Sequence, residues 1–593
     1  MRSDATFIGT VRRVVGATVY AVLLPDLPSA GPIVNGRIYR IGQIGSFVRI
    51  PIGFLNTYGI VSMVGAVAIQ GNETLGPVSS GAERTLEIKL VGEAFHGSRF
   101  ERGLSTFPTI DDEIHVVTDD DLETVYAPHG ASPVCIGTHA ASAGLPATLG
   151  LDKLVTRHAA ILGSTGSGKS NTVAAILKAI TCGPFPKARI IVIDPHGEYE
   201  SAFGGISKVF KIGDETSPFY LPYWCLSFDE LGWFLVGRKS ASESLQDGNL
   251  RDKILQMRKA SAATVRVGAR QNPLAGDEVT VDSPLPFDIR ELWYYFDRLE
   301  RVTFNDMPRT AEALVREGDA RRLLSAEFTP PGPGMTSPYK PTQPQVMAGY
   351  THKILQRLRD HRFGFLLEPG PYDGIGKDLD SLVGDWLNHD RPITVFDLAG
   401  VPAEIIDMVV GLVSRTLFEV MFWGRMLADV GRQRPTLLVF EEAHRYVPSG
   451  EGTFIQGYAR RALQKILKEG RKYGLGAVLV SQRPSELDET VLSQCGTFIA
   501  LRMSNSQDQA RVQSVMPDEL VGLAALLPAL RTGEAIVSGE ATQIPSRVRV
   551  TLIEPRPSSG DPKVSELWGG QAECEPDYRT AVTNWRRQRV EGE

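Results

Sequence analysis

Cysteine is scarce and scattered. The five cysteines in 593 residues, Cys135, Cys182, Cys225, Cys495 and Cys574, lie too far apart for a paired zinc site or a disulfide framework, and read as incidental small apolar residues. Long apolar runs are also missing, since none reaches the ~20 residues of a spanning helix without polar interruption. The opening Met1-Arg2-Ser3-Asp4 does not begin a secretory signal. The expectation is therefore a protein of the cytoplasm with no membrane role. Charge of one sign is not in excess, with 63 Lys and Arg against 69 Asp and Glu and a net charge of −6. That balance neither demands nor excludes nucleic acid, because a ring needs positive charge only along its channel. The length is too great for one core, so two to four domains are expected.

Against these absences stands one dense stretch, Ala160-Ile161-Leu162-Gly163-Ser164-Thr165-Gly166-Ser167-Gly168-Lys169-Ser170. Its spacing is G-x-x-x-x-G-K-S, the phosphate cradle of P-loop ATPases. Glycines let the backbone N–H groups converge on phosphate oxygens, Lys169 reaches the β and γ oxygens, and the Ser170 hydroxyl ligates Mg²⁺. Ala159-Ala160-Ile161-Leu162 reads as a buried strand, and Asn171 continues into a helix whose N-terminus faces the anion. Residues 163–171 are thus assigned to nucleotide binding, with ATP and Mg²⁺ as the implied ligands.

The chain before about Thr148 contains short β-rich runs punctuated by Gly, Pro and Asn: Phe7 to Val11, Arg37 to Ile41, Ser46 to Ile50, and Tyr58 to Val61. They predict a small β-barrel over 1–148. Parallel α/β character follows over 149–216, where Arg189-Ile190-Ile191-Val192-Ile193-Asp194 is an apolar strand ending in a carboxylate. Residues 217–344 read as a helical insertion. Asp288 followed by Glu291 resembles a capping box, and Ile289, Leu292, Trp293, Phe296 and Leu299 repeat at helical spacing. Six prolines between Pro330 and Pro344 mark the exit linker. The α/β pattern resumes over 345–554 with apolar runs at Pro392 to Leu398, Thr436 to Glu441 and Gly476 to Ser481, and 555–593 is a polar tail. The fold class expected is an α/β, RecA-like P-loop core with an N-terminal β-barrel and a helical insertion.

Turnover needs more than a cradle. Leu437-Leu438-Val439-Phe440-Glu441-Glu442 delivers two adjacent carboxylates at a strand end, where alternation lets one face the metal and the next the attacking water. Glu441 is assigned to the metal shell and Glu442 to water activation. Gln482, in Ser481-Gln482-Arg483-Pro484 after the next strand, is placed to sense the γ-phosphate. Arg471, in Glu469-Gly470-Arg471-Lys472-Tyr473-Gly474, can be presented to a neighbour's γ-phosphate, a role worth ~10³–10⁵ in rate elsewhere. Solvated loops and helix ends carry such residues equally well.

The set Gly163 to Ser170, Ile193-Asp194-Pro195-His196-Gly197-Glu198-Tyr199, Phe440-Glu441-Glu442-Ala443-His444 and Ser481-Gln482-Arg483-Pro484 resembles HerA, the hexameric DNA-translocating ATPases of the FtsK/HerA branch. The resemblance implies a homohexamer acting on double-stranded DNA, nucleotide contact by Arg157, and Arg471 acting in trans. It implies further that the barrel docks a partner, a NurA-like nuclease or another effector such as a sirtuin-like or nuclease subunit, in DNA end processing or antiphage defence. Asp194, His196 and Glu198 are read as shaping the site or bracing the fold. Basic residues on channel-facing loops would hold DNA phosphates, with Arg238, Lys239, Arg251, Lys253, Lys353, Arg357, Arg359 and Arg362 as candidates. A competing reading is a ring-shaped ATP-binding scaffold that assembles and regulates a defence effector without obligatory translocation. A membrane-anchored conjugation pump would need a spanning helix, and an ABC-type ATPase an LSGGQ-like signature; neither is found.

Overall fold

The computed structural model describes residues 4–587 except 26, 28–31, 35–36, 40–42, 68–82, 96–98, 128–132, 141, 239–243, 263–273, 335, 342–345, 451–456, 517–520, 559–563 and 570–576. Two compact units emerge. The first comprises Met1–Ser207, Val420–Thr453 and Leu463–Gly560, the second Lys208–Glu419, Phe454–Ala462 and Asp561–Glu593.

The first unit opens with the barrel. Along Thr18–Leu23 half-buried and buried residues alternate strictly, as a strand with one face on a core must. Phe7–Val15, Glu113–Val116, Phe47–Ile52, Leu55–Val67 and Glu83–Phe95 follow it in lateral order, and Glu83–Phe95 pairs back onto Thr18–Leu23 through Thr18 and Lys89. Six strands thereby close without a free edge. Ile8, Val11, Val19, Ile50, Val61, Ile88 and Ile114 fill the interior, each with no exposed surface. Of the run Arg37 to Ile41, Arg37–Ile38 pairs with Ile33–Val34, while Arg40 and Ile41 lie outside the described residues.

The rest of the first unit is built on a mixed sheet. Five parallel strands stand in the order Thr497–Leu501, Ala159–Leu162, Leu475–Ser481, Thr436–Phe440 and Ile190–Asp194. All five are wholly buried, which explains why each reads as a continuous apolar run. Glu534–Gly539, Ser546–Val550, Pro133–His139 and Ser142–Gly150 extend the sheet antiparallel beyond Thr497–Leu501. The hairpin of residues 133–150 therefore belongs to this sheet, and a division at residue 148 falls inside its second strand. Its partner, Val550 opposite Gly137, is too remote in sequence to leave any local signal.

The second unit is mainly helical. Asp288 caps Ile289–Arg301 by accepting from the Arg290 and Glu291 backbone N–H groups, and the face formed by Ile289, Leu292, Trp293 and Phe296 is buried. Leu299, expected on that face, is 44% exposed. The fully buried Arg258 guanidinium donates to the carbonyls of Val281, Ser283, Trp224 and Leu226, tying three chain segments together. This unit continues to Glu419, so Ala348–Leu358, Leu379–Leu387 and the buried strand Ile393–Asp397 lie in it, past the boundary read at residue 344. Among the described residues no helix is long and apolar enough to cross a membrane.

Candidate functional site

The loop between strand Ala159–Leu162 and helix Lys169–Thr181 is the phosphate cradle. A Cβ on Gly163 would lie 2.7 Å from Ser167 Oγ and 2.8 Å from the Leu501 Cβ, so only glycine fits there. Gly168 caps the helix at φ 104, a left-handed conformation that side chains resist. Ser164 N donates to the Arg502 carbonyl at 3.0 Å, Ser167 Oγ to Ser164 O at 2.6 Å, and Gly533 N to Ser167 O at 3.0 Å. These bonds hold the loop open at the N-terminus of the helix, where unpaired N–H groups and the helix dipole favour an anion.

Lys169 Nζ donates to Ser164 O at 3.2 Å, folding back across the loop. Burial lowers its pKa, opposed by the charges of Glu442, Glu441 and Glu198. The Ser170 hydroxyl donates to Glu198 Oε2 at 3.0 Å. Asn171 works differently from the cradle expectation, bonding the Thr551 carbonyl at 3.0 Å and the Ile553 N–H at 2.9 Å. Lys178 donates to the Glu554 carbonyl, Ser201 to the Arg556 carbonyl, and Ser558 N–H to Glu198 O. Residues 551–558 form a strap fastened across the outer side of the nucleotide helix.

The carboxylate pair follows strand Thr436–Phe440, beside Ile190–Asp194 with Phe440 opposite Ile193. Glu441 does not meet the cradle as alternation alone suggested. The Tyr199 phenol donates to its Oε1, and the Tyr446 phenol to its backbone carbonyl at 2.6 Å. Burial pushes its pKa up to about 8, with the Tyr199 hydrogen bond opposing and Glu442, Asp194 and Glu198 adding repulsion. Glu442 stands at φ 48, a left-handed conformation costing a non-glycine residue ~1–3 kcal/mol, the sort of strain that functional residues retain. Burial raises its pKa while Lys169, then His196, draw it down, and it accepts the Gln482 backbone N–H. Its buried Oε2 has no hydrogen-bond partner, although His444 Nδ1 lies 3.2 Å away. That nitrogen also faces Ser481 Oγ at 3.2 Å, and burial lowers the His444 pKa to about 4, leaving it neutral at pH 7.

Gln482 Oε1 accepts from Thr165 Oγ1 at 2.7 Å, so the end of one strand is tied directly to the cradle. Lys169, Ser170, Glu442 and Gln482 therefore gather at the end where the parallel strands leave the sheet. Their donor set fits a magnesium-bound triphosphate, pairing a lone buried ammonium and a P-loop hydroxyl with excess carboxylate and one orphaned carboxylate oxygen.

Arg157 and Arg471 lie elsewhere. Arg157 ends the turn before strand Ala159–Leu162, its Nε 3.3 Å from Glu540, and Arg471 lies in the 3₁₀ turn Gly470–Tyr473 before strand Leu475–Ser481. Seven residues of strand separate Arg471 from Gln482, a distance of roughly 20 Å. Between the two arginines sits His158, buried at φ 57, whose Nε2 donates to Leu467 O at 3.0 Å while Nδ1 accepts the Ala477 N–H at 3.1 Å. Within one chain neither arginine reaches its own cradle.

Most of the proposed DNA-facing cations are engaged inside the second unit. Arg238 pairs with Asp229 and Asp247, Lys353 donates to Val236 O, and Arg357 donates to Phe234 O. Arg362 pairs with Asp360, and Lys253 donates to Gln256. Arg251 stacks on Phe228. Lys239 lies outside the described residues.

Two family models match: the HerA helicase central domain over residues 134–417 and the HerA-like helicase C-terminal domain over residues 420–571, together well over half of the 593 residues. The chain belongs to the HerA family. It is an ATPase. Among curated proteins it is 25% identical over 481 residues to the DNA double-strand break repair helicase HerA of Sulfolobus acidocaldarius, covering 81% of this chain and 80% of that one. A probable double-strand break repair helicase HerA of Methanocaldococcus jannaschii is 24% identical, with 85% and 93% covered. Among solved structures, the bacterial conjugative coupling protein TrwB superposes with a TM-score of 0.42 at 14% identity, over 75% of this chain and 94% of that one. VirB4 of Thermoanaerobacter pseudethanolicus also gives 0.42, at 16% identity over 73% and 99%.

Sequence reasoning missed Tyr199, Ser481 and the strap. Tyr199 closes the Asp-Pro-His-Gly-Glu-Tyr run, so its motif was visible and only its target was not. The strap carries no motif.

Proposed function

We propose that this chain is an ATP-driven translocase of double-stranded DNA, working as a homohexameric ring with a nuclease or other effector docked on its barrel. The observation that carries the reading is the division of the catalytic groups: Lys169, Glu442 and Gln482 meet at one end of the parallel sheet, while Arg157 and Arg471 stand at the other. Two copies would complete each other if the arginine end of one faced the cradle of the next. The DNA-repair helicases among its relatives supply the choice of DNA as the track.

In this mechanism the cradle N–H groups and Lys169 bind the triphosphate. Ser170 would help hold Mg²⁺, which would supply charge neutralisation to the triphosphate. Glu442, its strained backbone opening the Ala443–Arg445 turn and its carboxylate held by the Gln482 N–H, orients the attacking water and accepts its proton. A neighbour's Arg471 stabilises charge on the transferred group. Gln482 then loses its phosphate contact and passes the change to Thr165 on the cradle and to its own strand. Loosened interfaces would move the loops that hold DNA phosphates.

The test is ATP turnover of the purified protein with and without duplex DNA at increasing salt. Stimulation by DNA that fades between 50 and 200 mM salt, by ~10³ or more in affinity for six or more phosphate contacts, is expected. Turnover indifferent to DNA, with no salt-sensitive binding, would overturn translocation and favour the scaffold reading.

A further inference from the structure

The acidic residue next to a P-loop serine is the one that matters to the metal. In P-loop ATPases the loop hydroxyl and an acid at the end of a neighbouring strand hold Mg²⁺ together. Sequence position nominates Glu441 for this duty, being the first carboxylate after an apolar strand. The structure gives the Ser170 hydroxyl to a different acid, Glu198, at 3.0 Å.

One short loop accounts for both facts. Asp194, 1% exposed, accepts the His196 and Gly197 N–H groups on Oδ1 at 3.1 and 3.0 Å and the Tyr199 N–H on Oδ2 at 3.1 Å. Gly197 takes φ 69 to make the turn. With the backbone so fixed, adjacent residues diverge: Glu198 turns its carboxylate to Ser170, and Tyr199 turns its phenol to Glu441. Tyr199 is completely buried and stacks on Phe203 at 5.5 Å, so its phenol has no other course. Outside, Ser558 N–H holds the Glu198 carbonyl at 2.9 Å and keeps the residue from swinging away. The geometry satisfies each acid once and leaves only one of them at the metal's hydroxyl ligand.

We infer that Glu198, not Glu441, is the acidic partner that completes the Mg²⁺ site with Ser170, and that Tyr199 withdraws Glu441 into a structural role. This inference rests on the ATPase reading of the same site and refines it. It also changes which substitutions separate nucleotide binding from metal binding.

The experiment titrates Mg²⁺ into the full-length protein holding a fluorescent, non-hydrolysable ATP analogue, and separately measures analogue binding in EDTA. Glu198→Gln is expected to raise the Mg²⁺ midpoint by about tenfold or more, the usual size of loss at a metal's supporting acid, with binding in EDTA unchanged. Glu441→Gln is expected to shift the midpoint by less than about threefold. Mn²⁺ retained by the nucleotide complex, counted by electron paramagnetic resonance, should fall in the same order. A midpoint moved by Glu441→Gln and unmoved by Glu198→Gln overturns the assignment. Should Glu198→Gln lose the analogue with and without metal, Glu198→Asp decides: a raised midpoint with binding in EDTA intact supports it, and an unmoved midpoint overturns it. Failure of the wild type to bind the analogue would instead sink the ATP reading itself, and normal binding without DNA stimulation would sink translocation alone.

Discussion

The two ends of the parallel strands carry opposite chemistry. Where the strands leave the sheet, the charges of Glu442, Glu441 and Glu198 act on Lys169; where they enter, Arg157 and Lys153 share Glu540, and Arg471 lies in the turn after Leu467, whose carbonyl His158 holds. The first end gathers the phosphate cradle and its carboxylates, with Arg445 and Arg483 beside His196 and His444. The second holds arginines but has no phosphate cradle. On the proposed reading, these two ends are halves that neighbouring copies would bring together.

The largest expected effect tests that pairing. Arg471→Ala should lower ATP turnover by about 10³-fold, as loss of an arginine finger does, while leaving nucleotide binding intact. Co-assembly of Arg471→Ala chains with Glu442→Gln chains should restore turnover above either alone, because a mixed interface can unite the two sound halves. Assemblies no more active than their inactive parents would break the comparison.

Glu442→Gln comes next. Removing the group that accepts the water's proton should lower kcat by about 10²–10⁴-fold, with little change in binding of the analogue. Steady-state turnover and analogue titration together separate these outcomes, and an unimpaired kcat would remove Glu442 from its assigned role.

Gln482→Ala should act more mildly, by about fivefold on turnover, since one neutral hydrogen bond near 1 kcal/mol couples it to Thr165. Its sharper signature is loss of stimulation by DNA while basal turnover remains measurable. Equal DNA stimulation in mutant and wild type would show that the strand end does not report on the cradle.

The smallest effect concerns the joint at the arginine end. Burial holds the His158 pKa down to about 4, with Arg471 and Arg157 also disfavouring its charge. An unfolded histidine takes its proton near 6.5, so its contribution to stability is full above that pH. It is lost as pH falls toward 4, because the unfolded chain binds a proton that the fold refuses. Between pH 7 and pH 5 the loss is about 2 kcal/mol. His158→Asn, which tolerates positive φ and keeps a donor and an acceptor, should flatten this slope in urea midpoints measured at the two pH values. An unchanged slope would place the acid sensitivity elsewhere, for example at His139, which burial also lowers to about 4.

Much of the cleft end was legible because its parts are contiguous. Residues 163–170, Glu441-Glu442 and Gln482 each sit at the end of an apolar run, and a buried strand followed by polar residues announces its own exit. The barrel was legible from alternation. What stayed hidden depends on lateral neighbours: Tyr199 meets Glu441 only because Ile193 lies opposite Phe440. The same holds for hairpin 133–150, whose place in the sheet is set by residues 546–550. Pairing across hundreds of residues leaves no periodicity to read. Basic residues of the second unit misled for another reason: a long cationic stem can stack on Phe228 or cap a carbonyl as readily as meet a phosphate.

The strap of residues 551–558 has a consequence for how the molecule is made. Its fastenings to Asn171, Lys178 and Glu198, and the seam of the hairpin at Gly137, all join segments at least 360 residues apart. On the ribosome, an emerging chain would own a complete barrel and a complete cradle sequence yet lack the outer brace of the cradle. A chain not yet extended to residue 551 would have its nucleotide helix unfastened on this side, which makes the strap a late-locking part of its unit.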